Sequence, residues 1–390
     1  MTPGTRVCYA IQFRGGETRM AGEGTPAFTL RVPDETAYSR LMSADLYTAA
    51  MTFLNGGVEI EGDLLPAVRM FLDRQKTGWR GRLYALAARF APHRLESLFQ
   101  SRARAARNLR YHYDRSNEFY RQFLDSRMVY SCAYFREPGM RLEEAQLEKL
   151  DHILRKLDLK PGERFLDIGC GWGALVQRAA ETCRAQAAGC TLSREQFRLA
   201  RERVAGLSAE VYDCDFRDLK GRFDKIASVG MFEHVGRRRL PEYFRTVYRL
   251  LADGGLFLNH GIVRPETSRD DAGTLFIQRR VFPGGELPRL AQLVGGAERA
   301  GFEVLDVENL RPHYARTCSE WVARLTRNRQ ACLDIVGPET YRTWLLYLAG
   351  SAVNFERGVI EVHQMLLAKR GAGQRRLTRE YMYANCVPAG

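Results

Sequence analysis

Between residues 143 and 263 the chain switches repeatedly between two hydrophobic periods. EEAQLEKLDHILRKLDL spaces its apolar residues as one face of a helix and is closed by KPGE. RFLDIGCGWG then runs as a short apolar stretch into a glycine-rich turn and a second helical pattern. AQAAGCTLS repeats the strand signal and SREQFRLARERV the helical one; AEVYDCDF, FDKIASVGM and GLFLNHGIV read as further strands. Strands with little polar alternation are covered on both faces, and intervening helices supply the cover. The pattern predicts an α/β fold with a doubly wound, mostly parallel sheet.

Either side of this block the texture differs. PAFTLRV (26–32) alternates like a strand, ETAYSRLM and LYTAAMTFL look helical, and GGVEIEGDL (56–64) gives a glycine turn, a short strand and a helix start. Residues 26–74 therefore read as a small α/β unit. WLLYLAGSAV (344–353) is too short for a membrane span and contains glycine, so it reads as a buried helix. LTREYMYANC (377–386) reads as a late strand. A chain of 390 residues has room for this division: an N-terminal domain over 1–75, a basic linker over 76–110 and a main domain over 111–390.

Composition narrows the classes. The apolar share, 45%, suffices for a core, and the N-terminal MTPGTRVCYAIQFRGG lacks the apolar region of a secretory signal. Nine cysteines without a C-x-x-C pair suggest reduced thiols in a cytoplasm and argue against structural zinc or another metal site. Fifty-nine basic against 46 acidic residues give +13. Such a field attracts nucleic acid or an anionic membrane surface. No recognition helix or basic sheet with interleaved aromatics is present, so nucleic acid is not the expected partner. The charge gathers in residues 76–110, whose only acid is Glu96 and where Trp79, Leu83, Leu86 and Phe90 recur at helical spacing. That segment reads as a helix lying in a membrane interface or, equally, as an interdomain helix with a solvated face.

Chemistry enters with LDIGCGWG (166–173). Gly169, Gly171 and Gly173 follow an apolar strand, where glycine permits a sharp turn and close backbone approach to a ligand. Asp167 precedes the first glycine by two residues and no Walker lysine–serine pair follows. A dinucleotide enzyme would end its second strand in a ribose-binding acid, whereas this one ends in GCTLS. The stretch resembles the first motif of class I S-adenosylmethionine-dependent methyltransferases. That resemblance implies that Asp215 in DCDFRD holds adenine, with Phe216 available to stack.

Seven stretches then occur in order: YHYDRSNEFY (111–120), YSCAYF (130–135), CGWG, TLSREQ (191–196), MFEHVG (231–236), FPGGELP (282–288) and HYARTCSEW (313–321). Together they resemble the cyclopropane-fatty-acyl-phospholipid synthase family, which includes the mycolic acid cyclopropane synthases, over residues 108–370. The resemblance implies a class I methyltransferase (Rossmann-like) catalytic domain over 111–390 with a helical lid, and a lipid-engaging N-terminal domain. It also implies the reaction: an alkene carbon takes the sulfonium methyl, and a bound bicarbonate removes a proton so that a three-membered ring closes. The matching positions are Cys132, His260, the N–H of Ile262 and the hydroxyl of Tyr314 around the bicarbonate, with Glu233 orienting it. His234 neighbours Glu233, but His260 is the one at the family position. Tyr134 and Phe135 are the candidates for facing the cation. For the cofactor the resemblance adds Tyr130 and Ser131 near the carboxylate end, and Thr191, Leu192 and Gln196 along the ribose and adenine, to Asp167, Gly169 and Gly171. Two departures stand out: Arg115 where the family shows leucine, and ADLYTAAMTF in place of a GEAYM-like sequence.

The expected protein is thus an S-adenosylmethionine- and bicarbonate-dependent enzyme. It would add a methylene group across a cis double bond of an unsaturated phospholipid, peripherally bound at the inner, anionic face of the membrane. A homodimer is left open. The alternatives are a fatty-acyl C-methyltransferase that makes a methyl or methylene branch, a small-molecule methyltransferase, and a non-catalytic lipid-binding protein.

Overall fold

In the computed structural model, the described residues are 7–74, 116–268, 272–282, 286–370 and 376–384. The basic segment 76–110, Arg115 and the first half of YHYDRSNEFY lie outside them, as do the domain boundaries expected at 75 and 110 and the glycines of FPGGELP. The chain forms two compact units.

One unit comprises residues 7–74 together with 272–282 and 318–354. Its sheet has strand order β2-β1-β3-β4, from β1 (Tyr9–Phe13), β2 (Thr18–Ala21), β3 (Phe28–Val32) and β4 (Glu59–Gly62). The alternation in PAFTLRV places Phe28, Leu30 and Val32 inward, and Tyr9 stacks on Phe28 at 5.1 Å. The expected helices form as Glu35–Ser43 and Leu46–Leu54. Each is started by an aspartate whose carboxylate accepts an orphan N–H: Asp34 from Ala37 and Asp45 from Thr48. WLLYLAGSAV lies in the helical stretch Arg329–Arg357, which breaks at Gly337 (φ +74°) and Pro338.

The other unit comprises residues 116–268, 286–317, 355–370 and 376–384. A seven-stranded sheet of order β10-β11-β9-β8-β5-β6-β7 forms its centre. The strands are β5 (Arg164–Ile168), β6 (Gln186–Thr191), β7 (Ala209–Asp213), β8 (Phe223–Val229), β9 (Leu251–Val263), β10 (Phe302–Asn309) and β11 (Glu361–Lys369). β5 through β9 pair in parallel, while β11 runs antiparallel between β9 and β10. Successive residues serve opposite faces: Leu166, Ile226, Phe257 and Leu367 enter one core, and Phe165, Ala227, Leu258 and Leu366 the other. This is the doubly wound, mostly parallel α/β sheet that the strand–helix alternation predicts.

One expectation fails. Residues 377–386 supply no strand among those described: Glu380–Tyr383 is a short helix, and the late strand is β11. Met382 alone of the short helix is buried, and its carbonyl accepts from His152 Nδ1 and Arg155 Nε. A carbonyl taken by side chains is not available to a sheet ladder.

Candidate active site

β5 delivers the chain into a turn through Gly169 (φ +77°), Gly171 (φ +54°) and Gly173 (φ +83°). At 169 a Cβ would also come within 2.9 Å of Met231 Cγ, and at 173 within 3.0 Å of Ala200 Cβ. The N–H groups of Gly169 and Cys170 both donate to Cys190 O at 3.0 Å, which ties the turn to β6. A cavity opens over the turn. Tyr130, Ser131, Asp167, Gly169, Gly171, Thr191, Leu192, Gln196, Asp215 and Phe216, the ten positions expected at the cofactor, all line it. They arrive from the ends of β5, β6 and β7 and from the 128–131 segment, the place where open α/β sheets gather ligand residues.

Charges in this wall are buried. Asp167 is 3% exposed, burial pushes its carboxyl up to about 7, and Oδ1 has no hydrogen-bond partner among the described residues. Thr191 Oγ1 donates to Gln196 Oε1 at 2.8 Å, and Ser193 caps the following helix through Gln196 N. Asp215 is paired by a residue the sequence reading passed over. Arg217 donates Nε to Oδ1 at 2.8 Å and Nη2 to Oδ2 at 2.5 Å, so the acid is oriented from its own turn. Phe216 lies edge-on to Tyr243 at 5.8 Å.

The second group of expected residues lies around β9. Glu233 Oε1 accepts the N–H of Ile262 at 2.8 Å, while Oε2 is buried without a partner among the described residues. Burial raises the carboxyl to about 7. The Ile262 N–H, expected to face the bicarbonate, is therefore engaged by Glu233. His260 is 1% exposed. Gln364 Nε2 donates to its Nδ1 at 3.2 Å, which leaves the ring proton on Nε2, an atom with no partner among the described residues. Burial holds the imidazole neutral by pulling its pKa far below the ordinary value.

Cys132 and Tyr314 join the same locus through one backbone carbonyl. Cys132 Sγ donates to Ala133 O at 3.3 Å and Leu310 O at 3.8 Å, and the N–H of Tyr314 also donates to Leu310 O, at 3.1 Å. Leu310 N donates in turn to Val362 O, and Val362 is registered opposite Ile262 in the β11–β9 ladder. The Tyr314 ring stacks on Phe355 at 4.5 Å. A run of named bonds thus links Cys132, Tyr314, Ile262 and Glu233, with His260 two residues along the same strand. His234 lines the cofactor cavity instead, and its imidazole is drawn down to about 4 by burial.

Tyr134 and Phe135 are not open to a cation. Tyr134 stacks on both His152 (4.2 Å) and His313 (4.8 Å), and Phe135 carries the Arg316 guanidinium 4.0 Å from its centroid. Besides Arg217, two further site positions escaped the sequence reading. A Cβ at Gly261 would stand 2.3 Å from Phe232 Cε1 and 2.9 Å from Glu233 Oε1, so glycine is required for Glu233 to lie against β9. Lys149, 2% exposed, donates Nζ to Ser131 Oγ at 3.0 Å and lines the cofactor cavity. The glycine after NH in a strand was a readable signal of close approach; the lysine gave none.

Comparison with known proteins places this geometry. Residues 100–365 match the family model described as mycolic acid cyclopropane synthetase. A probable fatty acid methyltransferase of Pseudomonas putida is 41% identical over 371 residues, 92% of each chain. Cyclopropane mycolic acid synthase 1 of Mycobacterium tuberculosis is 37% identical over 277 residues, covering 67% of this chain and 96% of that one. The crystal structure of mycolic acid cyclopropane synthase CmaA1 complexed with SAH and CTAB superposes with a TM-score of 0.65 at 37% identity, over 68% of this chain and 98% of that one. The chain belongs to the mycolic acid cyclopropane synthetase family of S-adenosylmethionine-dependent enzymes.

Proposed function

We propose that this enzyme is a cyclopropane-fatty-acyl-phospholipid synthase, adding a methylene group across a cis double bond of an unsaturated phospholipid acyl chain. The observation that carries the reading is that Glu233 Oε2 and His260 Nε2 are both buried without a partner among the described residues, at the stretch of β9 that β11 and Leu310 connect to Cys132 and Tyr314. Buried polar atoms are almost always satisfied, so a pair left open at one end of a sheet points to a polar guest.

The residues fit S-adenosylmethionine: the cavity has a glycine turn open enough that a Cβ at Gly171 would meet nothing within 4 Å, and an orphan oxygen on Asp167. That group would supply an electrophilic methyl, and a bound bicarbonate would supply a base. Tyr130, Ser131, Asp167, Gly169 and Gly171 would hold the methionine portion, and Thr191, Leu192, Gln196, Asp215 and Phe216 the nucleoside. Cys132, His260 and Tyr314 would hold the bicarbonate. His260 offers Nε2–H as a neutral donor, so it orients an anion without competing for the proton to be removed. Glu233, its carboxyl raised to about 7 by burial, would orient the anion and hold its proton, and the Ile262 N–H fixes the carboxylate. Burial of Cys132 and His260, with Glu233 Oε2 also out of solvent, would help keep water from a carbocation on the acyl chain.

A second reading is favoured by one observation: the Pseudomonas relative matching over 92% of both chains is named a probable fatty acid methyltransferase. A branch-forming enzyme begins with the same methyl transfer and differs in which proton leaves. No helix among the described residues is long and apolar enough to cross a membrane. We place the enzyme peripherally on the anionic inner face of the membrane, held by segment 76–110. Each arginine near such a surface contributes ~1 kcal/mol, and replacing Arg102, Arg104, Arg107 and Arg110 with glutamine is expected to weaken liposome sedimentation at low salt.

The functional test is incubation with S-adenosylmethionine and liposomes carrying cis-unsaturated chains, followed by proton NMR of the fatty esters. High-field ring-methylene signals are expected. Branched-methyl or exomethylene signals overturn the synthase reading in favour of the second one, and unmodified chains overturn both.

A further inference from the structure

Lys149 lies on the helix Leu142–Lys156 and is 2% exposed. Among the described residues no carboxylate lies within ion-pair distance of it; its hydrogen bond is to the hydroxyl of Ser131, at 3.0 Å. Lys156, two turns further along the same helix face, shows the usual solution: Nζ is 2.6 Å from Glu308 and 3.2 Å from Asp306. A buried ammonium without a counter-charge is costly, and burial draws Lys149 down to about 8. Asp125 and Asp167 favour its charged form only from a distance.

We infer that Lys149 is the cation that receives the α-carboxylate of the bound cofactor, with the Ser131 hydroxyl as its partner donor. Three placements support the assignment. Lys149, Ser131 and Asp167 line one wall of the cofactor cavity, whereas Cys132 and His260 do not line that cavity. The carboxylate with the orphan oxygen, Asp167, suits the cofactor's ammonium, so the two buried charges match the two ends of an amino acid zwitterion. Ser131 Oγ, already fixed by the lysine, can turn its own proton toward a second acceptor. The inference rests on S-adenosylmethionine dependence and on none of the lipid chemistry, so it can fail while the synthase reading stands.

The test is calorimetric titration with S-adenosylhomocysteine and with S-adenosyl-3-thiopropylamine, the same molecule without its carboxylate. Lys149→Met is expected to weaken S-adenosylhomocysteine by roughly 10- to 100-fold, the worth of one charge-assisted hydrogen bond. The decarboxylated ligand should change by less than about threefold. Lys149→Gln, which keeps a donor toward Ser131, gives the same discriminating ratio should the methionine variant not fold. An equal loss for both ligands would mean that Lys149 only shapes the wall, and overturns the assignment. So does an unchanged affinity for both, including the case in which the half-saturating bicarbonate concentration of turnover rises instead.

Discussion

Replacing Gly261 with alanine puts a single carbon where the site has no space for it. Its Cβ would stand 2.3 Å from Phe232 Cε1, 2.7 Å from Phe232 Cζ and 2.9 Å from Glu233 Oε1. Carbon pairs are at ease near 3.5–4.0 Å, so more than about 1 Å must be recovered by movement. Phe232 is 1% exposed and belongs to a packed core, so the motion falls on the short helical turn Phe232–His234 and hence on Glu233. Overpacking of this kind costs about 1–3 kcal/mol. Loss of the 2.8 Å bond from Ile262 N–H to a carboxylate adds roughly 1.5–3 kcal/mol. If about 3 kcal/mol of that appears in the transition state, turnover falls on the order of 100-fold. Methyl transfer is followed with labelled S-adenosylmethionine, and thermal melting is recorded alongside. Gly350→Ala is the control, since a Cβ there meets nothing within 4 Å. A Gly261→Ala enzyme with wild-type turnover and melting would refute the argument that this glycine seats Glu233.

Two further outcomes follow from buried charge. Glu233 has its folded value raised from 4.5 to about 7. The folded protein therefore binds more protons than the unfolded chain between those values, and Glu233 lowers stability as pH rises through that window by roughly 3 kcal/mol in all. Subtracting the stability curve of Glu233→Gln from that of the wild type should give a difference falling from pH 4.5 to 7; parallel curves would contradict it. Lys156→Met leaves Asp306 and Glu308 without their 3.2 and 2.6 Å partner and should cost about 3–5 kcal/mol in denaturant unfolding. A loss below about 1 kcal/mol would show that Arg379, 3.0 Å from Asp306, and the His152–Glu308 contact at 2.7 Å compensate.

Legibility in the sequence followed burial. β5, β6, β8 and most of β9 are buried on both faces and announce themselves as apolar runs, whereas the edge strand β7 shows itself by its Ala209–Val211 alternation. β11 does not, because Glu361, His363 and Gln364 open it, and Gln364 is polar for a reason internal to the fold, its bond to His260 Nδ1. The 377–386 segment misled for the opposite reason: its tyrosines suggest a strand, yet Tyr383 is exposed and Met382 alone of the short helix is buried. In the helix Leu142–Lys156, Lys149, His152 and Lys156 read as a solvated stripe but are 2%, 0% and 0% exposed. Polarity marks a residue's chemistry, whereas its exposure depends on what β10 and the 128–131 segment bring against it. The ten cofactor positions read from ordered motifs and the glycine turn do line one cavity, since motifs in sequence constrain one another. Gly261 and Lys149 act through neighbours distant in the chain, and no local spacing reveals such a contact.

The central proposal is that Cys132, Glu233, His260 and Tyr314 together hold a bicarbonate base for ring closure. Its most direct test is the ring-methylene proton signal formed from cis-unsaturated liposomes in buffer stripped of carbon dioxide, before and after bicarbonate is restored. The account predicts that ring formation collapses on stripping and returns on addition, and that Glu233→Gln loses this response while still binding S-adenosylhomocysteine. Undiminished ring formation without bicarbonate would contradict it.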